Sequence, residues 1–313
     1  IYDRVATDDD YTTNTLDIAV ARWSSNPLVS VYDMAGEVDI DSSDISVKFG
    51  KGGSVSSIKL GGTQAMGGLG IVIEGSSTVG SIKDSRKGAK GDVAFIATDA
   101  SIKSISLKSG TTGADLNGLT LGDLTFNADI DGDGETDDET AIYSEKHIGK
   151  VRFGGNPVGD IVILGSDPKK GLALGSLSNK AGGFNGDLVT GGGVGKVSLR
   201  GSFGSGMSIG GSLSSLSIKG GGLGGTVQVN GGIGKISVSG GSVTADIAVA
   251  GGLSRLSVKG GNFAGMLLVG ADLGKFDIKH GNPGGGRMLA DSSVYVGGML
   301  KKGSIGGYYN AVQ

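Results

Sequence analysis

Apolar residues fall at the first, fourth and sixth places of a short phrase that recurs through the C-terminal half of the chain. It reads VGKVSLRG from Val194, LSSLSIKGG from Leu213, IGKISVSGG from Ile233, LSRLSVKGG from Leu253 and LGKFDIKHG from Leu273. Successive copies start 19, 20, 20 and 20 residues apart. Each unit then carries a second alternating pair, such as Val227/Val229, Ile247/Val249 and Leu267/Val269. Alternation of this kind, in short segments between Gly-rich turns, predicts strands with one buried face. Looser copies start at Val55, Val79, Ile102, Leu121, Ile148 and Leu174, with a degenerate one at Leu300. Together they make about 12 units, the longer of which hold insertions.

A unit of about 20 residues is too short for a propeller blade and has no helical face. Several glycines per unit, each costing about 1 kcal/mol against alanine, also argue against helix. Consecutive units must therefore stack, each strand pairing in parallel with its equivalent in the next. The fold predicted is all-β, a parallel β-solenoid of about 12 rungs with glycine at the corners. A β-sandwich is the structural rival, but it does not require a fixed repeat. Residues 1–54 lie outside the repeat and hold the single tryptophan, Trp23, with an acidic TDDD opening; they read as an N-terminal cap or assembly arm. Residues 55–313 read as the solenoid, with an inserted acidic loop at 127–147.

Composition narrows the picture. Gly is 64 of 313 residues but Pro only 4, which excludes collagen. A hydrophobic content of 37% argues against disorder, and aromatics at 5% leave the rungs thin and aliphatic. The absence of cysteine excludes disulfides and thiolate metal sites. No apolar run reaches the roughly 18 residues of a membrane helix. The chain starts at Ile1, read as a mature secreted chain after removal of an export signal.

Charge divides along the sequence. Residues 1–147 contain 24 Asp/Glu and 12 Lys/Arg, a formal −12; residues 148–313 contain 7 and 16, a formal +9. In a solenoid this makes one end acidic and the other basic. Lys196, Lys235, Arg255 and Lys275 share one repeat position, and Arg200, Lys219, Lys259 and Lys279 share another. Outward neighbours on adjacent rungs are about 5 Å apart, where like charges oppose each other unless an anion lies between. Three readings stay open: the basic ladders block edge pairing, they meet an acidic surface of another subunit, or they bind an anionic polysaccharide. Nucleic acid fits poorly, because the ladders lack interleaved aromatics.

The stretch DIDGDGETDDET, residues 129–140, carries a metal-site pattern. Asp129, Asp131 and Asp133 occupy positions 1, 3 and 5 of a calcium loop, Gly134 position 6 and Asp137 position 9. Glu135, Asp138 and Glu139 complete seven acids, which would repel each other without a counter-ion. The stretch resembles the loops of EF-hands, dockerins and thrombospondin-type repeats, departing at position 12, where Thr140 replaces the bidentate acid. A structural Ca2+ is the expectation; a solvated acidic turn is the alternative.

Catalysis has little support in the sequence. The two histidines, His147 and His280, fall in unrelated units, and no strand-to-helix nucleophile elbow occurs. No catalytic residue is assigned, and the expectation is a non-enzymatic protein, a carbohydrate-active β-helix enzyme being the weakest alternative.

Residues 55–305, through phrases such as LSSLSIKGG, IGKISVSGG and LSRLSVKGG, resemble the Gly-rich β-solenoid repeats of bacterial surface proteins, among them S-layer, adhesin and extracellular-filament subunits. That resemblance implies a secreted structural or adhesive protein at the cell surface. An acidic end and a basic end suit head-to-tail contact between copies, which gives open filaments when the rotation does not close. Trp23, Tyr308 and Tyr309 are the aromatic residues expected at such a contact. The alternative is a surface adhesin or a module binding anionic polysaccharide.

Overall fold

The computed structural model of the chain describes residues 159–279 and 286–306 without interruption, and before them mainly the strands between residues 14 and 157. It is an all-β parallel β-solenoid of about 8 turns, each of about 20 residues, with no helix among the described residues. On its longest side, strands pair in parallel from Ile142–Phe153, through Leu172–Asn179, Gly193–Leu199, Leu213–Lys219, Ile233–Ser239, Leu253–Lys259 and Leu273–Lys279, to Gly303–Ile305, with one register shift between Leu172 and Leu174. The expectation of about 12 rungs is thereby corrected. The looser N-terminal copies are spaced 19 to 27 residues apart. They pair through strands as short as Thr78–Val79 and Ile82–Asp84, or with register shifts, so each does not make a regular turn.

The N-terminal strands continue two sides of the same stack. Asn14–Val20, Ser43–Phe49, Leu69–Glu74 and Val93–Thr98 pair in series and join the first part of Asp115–Phe126. Leu28–Tyr32, Ser57–Gly61, Ile82–Asp84 and Ser101–Leu107 form the second series and join its last part.

One regular turn explains the others. In Leu253–Lys259, the side chains of Leu253, Leu256 and Val258 point inward. The chain then turns at Gly260 and Gly261, touches the core once through Phe263, runs through Met266–Val269 with Leu267 and Val269 inward, and turns again. All six inward residues are 0% exposed. The long strand seats three inward residues because its ladder skips the second position: Leu253 pairs with Leu273 and Arg255 with Lys275, while Ser254 is passed over. Two successive residues then face outward, and the apolar positions fall at first, fourth and sixth place.

The third side is one residue wide. Phe184, Phe203, Leu223, Val243, Phe263 and Met288 bridge in series, each a single parallel contact. The rings of Phe126, Phe153, Phe184 and Phe203 stack with centroids 5.6, 6.1 and 5.8 Å apart. This stack changes sides at Asn179, which takes the inward place after Phe153 on the long strand. Asn179 is buried with all its bonding satisfied: its amide donates to the carbonyls of Gly155 and Gly183, both at 2.7 Å, and its oxygen accepts from the N–H groups of Ala181 and Gly182.

Side chains at the corners tie each turn to the next. Ser202, Ser212 and Ser242 accept the backbone N–H of Gly222, Gly232 and Asn262. Asp160, Asp187, Asp246 and Asp272 do the same for Asp187, Gly206, Met266 and Met299.

Candidate binding face

The outward positions of the long strands form three columns running along the rod. The first is Ser176, Lys196, Ser215, Lys235, Arg255 and Lys275, paired in that order. Two residues on, Ser178, Ser198, Ser217, Ser237, Ser257, Asp277 and Ser304 pair in series. Two further on, Lys219, Ser239, Lys259 and Lys279 pair, with Lys180 and Arg200 at the same place in earlier turns. The expected basic ladders are therefore real columns, but Ser215 and Ser239 interrupt them, which relieves part of the like-charge repulsion. The face is a row of hydroxyls flanked on both sides by cations.

Acids close this face at its two ends. On the N-terminal side, Asp123 pairs with Lys150 at 3.0 Å and with Arg152 at 3.8 Å. On the C-terminal side, Asp277 occupies the serine column. Its Oδ2 is 3.1 Å from Lys275, 3.3 Å from Arg255 and 3.5 Å from Lys279, while Ser304 donates its hydroxyl to Oδ1 at 2.9 Å. The three cationic side chains fold over the carboxylate, which is 0% exposed. Burial pushes its pKa upward, but the Ser304 hydroxyl, Lys275 and Lys279 outweigh it and hold the carboxyl below the usual aspartate range. Arg255, Lys275 and Lys279, expected as part of a free basic surface, are thus occupied within the chain.

The other predicted cations have no such partner. Among the described residues, Lys196, Arg200, Lys219, Lys235 and Lys259 are exposed and make no ion pair. Around Ser198 lies a shallow cleft of about 350 Å³ with Ser176, Ser178, Lys180, Lys196, Arg200 and Lys219 on its walls. Its chemistry is that of an anion site: exposed ammonium and guanidinium groups beside half-buried hydroxyls. Sequence spacing found both basic columns. It missed Asp277, whose only signal is an acid standing where every neighbouring turn has serine.

Trp23, Tyr308 and Tyr309 lie outside the described residues, as do Asp129, Asp133, Glu135, Asp137, Asp138 and Glu139. Of the acidic loop, the backbone of Ile130–Asp131 is described; it pairs in parallel with Thr111–Thr112, one turn earlier. Among the described residues, no three metal-ligating side chains come together. His147 has an unpartnered Nδ1, and the Ser144 hydroxyl donates to the His147 backbone carbonyl at 3.3 Å. Asp167 is held below its ordinary pKa chiefly by the Lys169 backbone N–H, with a smaller contribution from His147.

No helix among the described residues is long and apolar enough to cross a membrane. Comparison with protein-family models, with curated proteins and with solved structures finds no match to this chain.

Proposed function

We propose that the protein is a non-enzymatic, extracellular structural rod whose copies stack end to end into a filament or surface layer. The observation that carries this reading is the last described turn. Its inward residues Val294, Val296 and Ile305 are only partly covered, whereas Leu267, Val269 and Ile278, their partners one turn earlier, are 0% exposed. Beside them Tyr295, Met299 and Leu300 are 59, 65 and 49% exposed. The three turns before carry Ser208, Gln228 and Ala248 in the column that continues to Leu268 and Tyr295, and Val162 and Val189 stand in it further back. A strand edge with an apolar inner face is completed by another strand of the same kind. The formal charges, −12 for residues 1–147 and +9 for 148–313, favour the opposite end of a second copy as that partner.

Light scattering and negative-stain imaging test the reading. Concentration-dependent linear particles are expected, shortened by salt through screening of the charged ends. The double substitution Met299→Asp, Leu300→Asp is expected to leave a folded monomer. A native protein that stays monomeric at every concentration and salt level overturns the proposal. Calcium on the 129–140 loop remains part of the same reading, as a staple for one inserted turn, and rests on the sequence pattern alone.

A further inference from the structure

The geometry points to a second interaction surface: the Lys196–Ser198–Arg200 triplet, with Lys219 beside it, binds the carboxylate groups of an extended acidic polysaccharide lying along the rod. This rests on the long face and is independent of the end-to-end contact.

The chain contains its own template for the site. In one turn Lys275, Asp277 and Lys279 occupy consecutive outward positions, and the carboxylate lies buried among the cations. Lys196, Ser198 and Arg200 occupy the same three positions four turns earlier. There the central residue is serine, the flanking cations are exposed and unpaired, and a cleft opens above the hydroxyl. The cations at Asp277 show which group the arrangement accepts: a carboxylate, held by charge from either side, by a hydroxyl from the adjoining turn, and by Arg255 of the preceding turn, whose place at the candidate site is taken by Ser176. Arg200 adds a guanidinium, whose planar fork suits two carboxylate oxygens.

The surroundings select a polysaccharide from among polyanions. Ser178, Ser198, Ser217 and Ser237 offer one hydroxyl per turn, about 4.8 Å apart, a row matched to the hydroxyls of an extended sugar chain. Lys235 and Lys259 continue the positive charge beyond the cleft, one on each side of the serine row. Single-stranded nucleic acid would need aromatic platforms, but Phe184, Phe203, Phe263 and Phe276 all point into the core. An acidic peptide adds most readily to a strand edge, and this surface is a sheet face.

The test is binding of polygalacturonate by the full chain in about 0.1 M salt, where long-range attraction is screened beyond roughly 10 Å. It is run at a protein concentration at which light scattering shows single particles. Saturable binding is expected, lost when the polymer is fully methyl-esterified. Lys196→Ser with Arg200→Ser is expected to weaken it by about tenfold or more. Ser198→Asp, which supplies the carboxylate from within, is expected to abolish binding without lowering the melting temperature, so loss of binding is separated from loss of fold. Arg287→Ser, an exposed cation beside Met288 on the third side, is expected to leave binding within about twofold. Absence of binding overturns the proposal. So does equal affinity for the ester, equal loss in the Arg287 variant, unchanged binding by Ser198→Asp, or tighter binding of an oligo-dT or a poly-glutamate.

Discussion

Gly260 and Gly261 follow one another at the corner after a long strand, and each is glycine for its own reason. Gly260 has φ of 75°, a left-handed conformation that costs a side-chain-bearing residue about 1–2 kcal/mol. Gly261 has an ordinary φ, but a Cβ there would run into the carbonyl oxygen of Gly241 on the turn below. Gly260→Ala is therefore expected to lower stability by about 1–2 kcal/mol, and Gly261→Ala by more, because backbone must move in two turns at once. Gly204, whose added Cβ would meet nothing, provides the control: Gly204→Ala is expected to be neutral or slightly stabilising in the same urea titration. Asp277 gives the second residue-scale prediction. Its replacement by serine, the residue of the neighbouring turns, leaves three cations without their acceptor. They are 30 to 53% exposed and can rehydrate, so the cost is about 1–2 kcal/mol. Because the folded-state pKa lies below the ordinary 3.8, this stabilisation is present above that pH and is lost as pH falls through the lower folded value. The melting-temperature gap between native protein and Asp277→Ser is expected to be full at pH 6 and to close below about pH 4.

At the scale of elements, the long strand was readable in the chain and the third side was not. Phrases such as LSRLSVKGG repeat the pattern of a seven-residue strand that skips its second position, so strand, register and outward columns all follow from the spacing. The third side touches the core through one residue per turn; Phe263 or Val243 has no alternating partner within its own turn to mark a strand, although its equivalents recur every 19 or 20 residues from Phe184 to Phe263. The overcounted rungs have the same origin: a loose phrase marks a strand, but says nothing of whether the rest of its turn is regular. The binding face was half legible. Its cations recur at fixed intervals, whereas the burial of Asp277 depends on where three long side chains lie. Asn179 is another case that spacing hides. It replaces an apolar core residue just where the phenylalanine stack moves to the next side, and its amide ties Gly155, Gly183 and the 181–182 turn together. Asn179→Ala would strand several buried backbone groups, with an expected loss of about 2–4 kcal/mol. Denaturant unfolding measures it, and a loss below that of a typical surface substitution would show that water replaces the amide.

For the whole molecule, the consequence of stacking thin turns is that each turn is stable only through its neighbours. In the last described turn, Val294, Val296 and Ile305 are only partly covered. The proposed end-to-end contact would give a rod both its length and further cover for these residues. The corner side chains add a property of another kind. Asp160, Asp187, Ser202, Ser212, Ser242, Asp246 and Asp272 all accept a backbone N–H from the turn that follows, never from the one before. These corner side chains thus point their acceptors one way along the rod, as an arrow has a head and a tail. In the proposed filament, rods joined end to end would inherit that direction. Their two tips are chemically unlike, and subunits would add to them at different rates, giving the fibre a growing end and a lagging one.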